Sequence, residues 1–372
     1  MSISAIVLAA GQGTRMRSER PKPLHVICGR PMVLHVLHAL VDLDVERIVV
    51  VVGHGAQQVT KRVQADSPPK LHVTFVEQRV QRGTGDAVMV GMTAFSGDDL
   101  DDTSTVLIVP GDTPLLRPET LEQLVAFHEA SGHGATILAA HMSEPTGYGR
   151  LLRDKHGMVV RVVEEADATS EERAIQEVNT SIYCFRRDLL GPALRRLSPD
   201  NTQGEYYLTD VVSVLHDTGH GVDAFTLSDA QEVQGVNDRW QLALAERELR
   251  RRINRFWLLE GVTMLDPRQT FIDATVSLGR DVTLYPGTML QGRTVIGDGC
   301  EIGPDTRLVD AVVGNDAVVE HAVAREAEIG AGAHVGPYAV LEPGSEVASD
   351  TVTGAFYTGV SRRAETSPDV GE

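Results

Sequence analysis

The sequence predicts an α/β protein in which a Rossmann-like, mostly parallel sheet is followed by a short left-handed parallel β-helix. Three observations carry this reading. Apolar runs of buried-strand length alternate with amphipathic stretches over the first half. One long, charged stretch near residue 240 has helical spacing throughout. Beyond it, aliphatic residues recur at every sixth position.

The strand candidates come first. Ala5–Ala10, Arg47–Val52, Leu71–Glu77 and Thr105–Pro110 are short, apolar and rich in β-branched residues. Between them Pro31–Leu43 and Pro118–Ala130 show helical spacing, and Pro118 suits a first helical turn. In such a sheet ligands bind outside the carboxyl ends of the strands, which directs attention to the residues just after Ala10 and just after Pro110. Asn237–Glu260 reads as one linking helix, with Asn237 or Asp238 suited to cap it.

The period then changes. Leu278, Leu284, Leu290, Ile296, Ile302 and Leu308 keep a six-residue spacing without a break. After an interruption Ile329, Val335, Leu341 and Val347 resume it, and glycine repeatedly follows the aliphatic residue. Each turn of a β-helix stacks such side chains inside, and coils of this kind commonly associate as trimers. The expected organisation is a catalytic domain over 1–236, a linker helix over 237–260, a β-helix over 261–350 and an irregular, disordered tail over 351–372.

Composition narrows the function. A net charge of −18 argues against nucleic-acid binding, which needs a basic surface to replace phosphate counterions. No apolar run is long enough to span a bilayer, so membrane insertion is not expected and a cytoplasmic protein is. Cys28, Cys184 and Cys300 lie far apart, which disfavours a disulfide framework or a thiolate zinc site. His25, His35 and His38 are expected on helix and loop surfaces. Arg15, Arg17, Arg20 and Lys22 form a basic spot in an otherwise acidic chain. Its place beside a glycine-rich turn suggests a small phosphorylated ligand.

That turn is the strongest local signal. The strand runs into Leu8-Ala9-Ala10-Gly11-Gln12-Gly13-Thr14-Arg15-Met16, and Pro21-Lys22-Pro23-Leu24 follows. Two glycines let backbone N–H groups approach a phosphate chain closely, while Arg15 and Lys22 supply positive charge for a leaving pyrophosphate. A lone G-x-G is as often a structural turn; the added G-T-R-M and P-K-P-L make the signal specific.

These motifs resemble those of the nucleotide-diphosphosugar pyrophosphorylases. The chain is similar to one family of them, the bacterial bifunctional N-acetylglucosamine-1-phosphate uridylyltransferase/glucosamine-1-phosphate acetyltransferases. Further matching segments occur in the family's order: Gln78 with Gly83-Thr84-Gly85-Asp86-Ala87, Gly111-Asp112-Thr113-Pro114-Leu115, Pro145–Arg150, Val163-Glu164, Glu177–Thr180, Gly204–Asp210 and Gly235-Val236-Asn237. The resemblance covers residue 5 to about residue 262 and continues through the hexapeptide half to about 347.

The resemblance implies an activity and a site. The activity is Mg²⁺-dependent transfer of a uridylyl group from UTP to N-acetylglucosamine 1-phosphate, with release of pyrophosphate, in cell-wall precursor synthesis. Leu8, Ala9, Gly11 and Gly13 would hold the nucleotide, with Arg15 and Lys22 catalytic. Gln78, Gly83 and Thr84 look like uracil readers. Gly149, Glu164, Asn179 and Thr209 resemble the sugar-binding set, and Asp112 and Asn237 the magnesium ligands. One carboxylate, one amide oxygen and phosphate oxygens suit a hard cation. A homotrimer through the β-helix is expected. Alternatives are a pyrophosphorylase for UTP or dTTP with glucose 1-phosphate, and a catalytically idle scaffold or regulatory trimer.

The second half departs from the family. Where an arginine is expected to contact sugar phosphate in Leu-Arg-Pro-Gly, this chain has Leu341-Glu342-Pro343-Gly344, and the hexad fails after Val347. Acetyl transfer to glucosamine 1-phosphate is therefore not expected.

Overall fold

The structure, a computed structural model, describes residues 2–95 and 104–359. These form two compact units, one of residues 2–25 and 31–243, the other of 26–30 and 244–359.

The first unit is built on a nine-stranded sheet. Its strands are β1 (Ile3–Ala9), β2 (Val45–Val52), β3 (Val73–Glu77), β4 (Thr105–Pro110), β5 (Ala135–His141), β6 (Gly149–Arg153), β7 (Val159–Val163), β8 (Glu177–Arg186) and β9 (Val222–Leu227). The order is β9-β5-β8-β4-β1-β2-β3, with the β6–β7 pair attached to β8. Neighbours of β1 run parallel to it, as do β2 with β3 and β9 with β5. β8 runs antiparallel to its neighbours β4 and β5 and to β6, and β6 and β7 pair antiparallel with each other.

Because successive side chains on a strand point to opposite faces, β1 feeds two cores. Ala5, Val7 and Ala9 pack with Val33 and Leu37 of α1 (Met32–Ala39) and with Leu121 of a second helix on one face. Ile6 packs on the other with Val88, Leu190 and Val211. Burial on both faces explains why this strand reads as a continuous apolar run rather than an alternation. The remaining helices of this unit include α2 (Ala56–Asp66), α3 (Thr84–Met92), α4 (Pro118–Ser131), α5 (Arg187–Leu194) and α6 (Asp210–Asp217).

The second unit contains three parallel sheets, of five, six and five short strands, wound as a left-handed β-helix. The hexad residues point inward: Leu284, Leu290, Ile302 and Leu308 are completely buried. The apparent interruption is no break in the coil. Ile296 pairs with Val313 and Val313 with Ile329, Ile302 pairs with Val319, and Leu308 with Ala324. Some inward positions are thus five rather than six residues apart, and a corner shortens while the ladder continues.

Two expected boundaries move. Residues 26–30 belong with the second unit, where the Cys28 amide donates to Glu246 (2.7 Å) and the Cys28 carbonyl accepts from the Ala274 amide (2.9 Å). The β-helix also continues past 351. Val352 bridges to His334, and Thr358–Gly359 pairs with Val340–Leu341. The rest of the expected tail, 360–372, lies outside the described residues. The long helix α7 (Arg239–Leu259) begins at an Asp238 cap, whose carboxylate accepts from the Gln241 amide at 2.8 Å. Within the second unit its Asn254 donates to the carbonyls of Pro267 and Thr270. Among the described residues no helix is long and apolar enough to cross a membrane.

Two histidines expected on the surface are buried instead. His25 is 2% exposed, with Nδ1 3.3 Å from an Arg239 guanidinium nitrogen, and burial, then Arg239, lowers its pKa. His35 is packed into the buried face of α1.

Candidate active site

The parallel strands β1, β2, β3 and β4 end at one sheet edge, and the loops that follow β1, β3 and β4 line a cavity of about 670 Å³ in the first unit. Leu8 is in register with Pro110, and the Gly111 amide donates to the Leu8 carbonyl (2.8 Å). The glycine-rich turn and the loop bearing Asp112 are held side by side in this way. A third segment arrives through the Val236 amide, which donates to the Asp112 carbonyl at 2.9 Å.

The polar groups of these segments converge. Lys22 Nζ contacts Asp112 Oδ2 and lies 2.9 Å from Asn237 Oδ1. The same amide oxygen accepts from Arg15 Nη2 at 3.0 Å. Gly13 enables this arrangement. It sits at φ 62°, in the left-handed region, and a β-carbon there would lie 2.6 Å from Lys22 Cβ. Asp238, rather than Asn237, caps α7 with its side chain, which leaves the Asn237 amide for the cluster.

The expected nucleotide residues Leu8, Ala9, Gly11, Gly13, Gln78, Gly83 and Thr84 all line the cavity, as do Arg15, Lys22, Asp112 and Asn237. Gln78 follows β3 directly, its amide donating to the Val52 carbonyl at 2.8 Å. Its side chain is 3% exposed. Thr84 is partly committed, since its hydroxyl accepts from the Leu208 amide at 3.1 Å.

Of the expected sugar residues, Gly149, Glu164 and Asn179 also line the cavity. Asn179 is oriented by two bonds: Nδ2 donates to the Tyr183 hydroxyl (2.7 Å), and Oδ1 accepts from the Ser181 amide (3.0 Å). Thr209 does not line the cavity. It is 2% exposed and stands behind Glu164, donating to Oε1 at 2.9 Å. Burial raises the Glu164 carboxyl above its ordinary range. The Thr209 hydroxyl opposes that shift, and repulsion from Asp210, Asp167 and Glu205 adds to it.

Two lining or supporting residues have no role in the sequence reading. Tyr148 faces the cavity between Gly147 and Gly149. Asp86, in the first turn of α3, takes a hydrogen bond from Gln78 Nε2 at 2.7 Å. Both lie inside motif segments, and only their neighbours in space distinguish them there. Arg150 anchors the loop that carries Tyr148. It is 1% exposed, pairs with Glu165 at 2.8 Å, and donates to the carbonyls of Tyr148 and Ile175.

Among the described residues no cluster of three or more His, Cys, Asp or Glu side chains could hold a metal. Asp112 and Asn237 nevertheless present two hard oxygens to the Lys22 ammonium, and Asn237 presents its own to the Arg15 guanidinium as well. That donor set fits a cation completing its shell with phosphate oxygens and water.

Comparison with known proteins agrees with this geometry. The family described as the MobA-like NTP transferase domain matches residues 5–261. The chain is 50% identical over 327 residues to the bifunctional protein GlmU of Thermobifida fusca (strain YX), covering 88% of this chain and 67% of that protein. It is 46% identical over 354 residues to the bifunctional protein GlmU of Streptomyces avermitilis, covering 95% and 72%. Identity to the bifunctional protein GlmU of Halalkalibacterium halodurans is 42% over 352 residues, covering 95% and 75%. The chain is therefore a nucleotidyltransferase that belongs to the MobA-like NTP transferases and, among them, to the family of bifunctional GlmU proteins.

Proposed function

We propose that the chain transfers a uridylyl group from UTP to N-acetylglucosamine 1-phosphate. The observation that carries this reading is the convergence of Arg15, Lys22, Asp112 and Asn237 at one side of a cavity whose walls also bear Gln78, Gly83, Glu164 and Asn179. A phosphate oxygen of the sugar phosphate attacks the α-phosphorus of UTP. A new P–O bond forms as the bond to the β-phosphate bridge breaks, and pyrophosphate leaves. The phosphate dianion is already a competent nucleophile, so no side chain need act as general base. Lys22 uses two of its three N–H donors on Asp112 and Asn237 and keeps one for a phosphate oxygen; Arg15 uses one of five. These charges stabilise the leaving group.

Mg²⁺ held by Asp112 and Asn237 would neutralise phosphate charge and, in taking those two oxygens, would release the Lys22 and Arg15 N–H groups bonded to them for phosphate oxygens. Glu164 and Asn179 then position the sugar. Their oxygens and nitrogens suit hydroxyls and an acetamido group, and Thr209 acts through Glu164. We also propose a homotrimer assembled through the β-helix. For acetyl transfer, Glu342 stands exposed where the family resemblance expects a phosphate-contacting arginine. A carboxylate there repels a dianion by about 1 kcal/mol even in high dielectric. The chain described here is accordingly proposed not to acetylate glucosamine 1-phosphate.

Pyrophosphate release across four nucleoside triphosphates and several sugar 1-phosphates tests the main reading. UTP with N-acetylglucosamine 1-phosphate is expected to be the best pair, and a preference for dTTP or glucose 1-phosphate would replace it. Thiol release from acetyl-CoA, measured with glucosamine 1-phosphate, is expected to stay at background. Turnover that scales with protein concentration would refute the second claim.

A further inference from the structure

Gln78 carries an ambiguity common to all primary amides. Its oxygen and nitrogen differ little in shape but are opposite in hydrogen bonding, so the base it accepts depends on which way round it stands. In this protein the surroundings decide. Nε2 donates to Asp86 Oδ2 at 2.7 Å and to the Gly83 carbonyl at 3.2 Å. Both partners only accept. Turning the amide over would set Oε1 against a carboxylate and a carbonyl, and would leave a side chain that is 3% exposed with unsatisfied groups. Both N–H groups are thus consumed. The atom left for the cavity is Oε1, which has no hydrogen-bond partner among the described residues.

We propose that Asp86 is a positioning residue that fixes the Gln78 amide, so that the base is read by an acceptor-only atom. Asp86 does not itself line the cavity, and its place in the first turn of α3 favours negative charge. An acceptor selects a base with a ring N–H, as uracil has at N3. It rejects cytosine and adenine, whose corresponding ring nitrogens carry a lone pair. The inference rests on the uridylyl reading above and deepens it by naming what enforces the choice of base.

The test compares kcat/KM for UTP and CTP in the wild-type protein, Asp86→Ala and Asp86→Asn, with thermal melts as a check on folding. Asp86→Ala is expected to lower the UTP:CTP ratio about tenfold or more, the scale of one hydrogen bond to a charged group. The loss should lie in KM for UTP, with KM for the sugar phosphate within about twofold of wild type. Asp86→Asn keeps one acceptor oxygen but can also turn its own amide over, so its ratio should fall between the other two. A wild-type ratio in Asp86→Ala overturns the inference, whether activity is retained or falls equally on both nucleotides. So does an Asp86→Asn ratio as low as that of Asp86→Ala. Should Asp86→Ala fail to fold, an unchanged ratio in Asp86→Asn is decisive against it. A wild-type protein that prefers CTP or ATP sinks both readings. One that prefers GTP or dTTP, whose bases also carry a ring N–H, sinks only the uridylyl reading.

Discussion

The two units encode their structures in different ways. In the β-helix nearly every inward position has one task, to fill the coil with an aliphatic side chain, and the sequence repeats accordingly. In the first unit the strands are equally apolar, but the cavity is assembled by loops that follow β1, β3 and β4 and by residues far along the chain, such as Glu164, Asn179 and Asn237. Periodicity therefore reports where the chain packs, and in the first unit the cavity is built largely by the loops between the periodic segments. If that contrast is sound, substitutions in the two units should separate activity from stability.

The largest effect is expected from Asp112→Ala. It removes one of the two oxygens that face Lys22 from an edge loop and takes no volume from the core. Loss of a ligand to charge at the transition state should cost a thousandfold or more in turnover, roughly 4 kcal/mol, with the melting temperature little changed. Pyrophosphate release by a purified, folded variant measures it. Near-normal turnover would make Asp112 an ordinary turn residue.

Leu290→Ala should do the reverse. Leu290 is fully buried between Ile272 and Leu308 in one ladder of the coil. The cavity left behind should cost about 2–5 kcal/mol in the unfolding of that unit. Uridylyl transfer measured well below the melting range should stay within about twofold of wild type. A large loss of kcat in folded protein would mean that the β-helix takes part in the chemistry and would dissolve the contrast.

Gly13→Ala lies between these cases, because it strains the backbone inside the site. A non-glycine residue at φ 62° costs about 1–2 kcal/mol, and its β-carbon would press on Lys22. The expected outcome is a modest drop in melting temperature and a roughly tenfold lower kcat/KM, since displacing Lys22 disturbs an oriented charge. Unchanged kinetics would show that Lys22 is not held in place through Gly13.

What the sequence reveals follows the same division. The strands β1, β2 and β4 and the helices α1 and α4 are legible because local patterning and burial agree, whereas β3, equally apolar in sequence, is an edge strand with no fully buried residue. The reversed β8 is not legible, since its pairing with β4, β5 and β6 depends on contacts that no local pattern expresses. Nor is the five-residue spacing near Val313 and Val319, where a shortened corner leaves the inward ladder intact. At the site, Lys22, Asp112 and Asn237 are legible from motifs, and the structure brings them together. Thr209 behind Glu164 and Asp86 beside Gln78 are not, because a supporting residue is recognisable only from what it touches. The burial of His25 has the same cause: its partner, Arg239, is distant in sequence.

The smallest effect concerns Glu164 and turns on pH. Burial raises its carboxyl in the folded protein, so the folded state holds a proton that the unfolded chain releases at the ordinary value near 4.3. Between those two values the native state binds more protons than the unfolded one, and stability falls as pH rises. Below the ordinary value both states are protonated and the loss is absent; above the raised folded value it is fully developed. Glu164→Gln keeps the shape and removes the charge. The variant should melt with wild type at pH 4 and a few degrees above it at pH 8. It should also bind sugar phosphate more weakly, because an ionised acceptor facing a hydroxyl becomes a neutral amide. Melting curves across that range, read together with KM for N-acetylglucosamine 1-phosphate, check both halves. A variant less stable than wild type at pH 8 would mean that Glu164 is held ionised by partners and supports the fold. A variant of unchanged KM would remove Glu164 from the sugar wall. A gain in stability with a loss of affinity is the expected mark of a residue kept in place for its ligand.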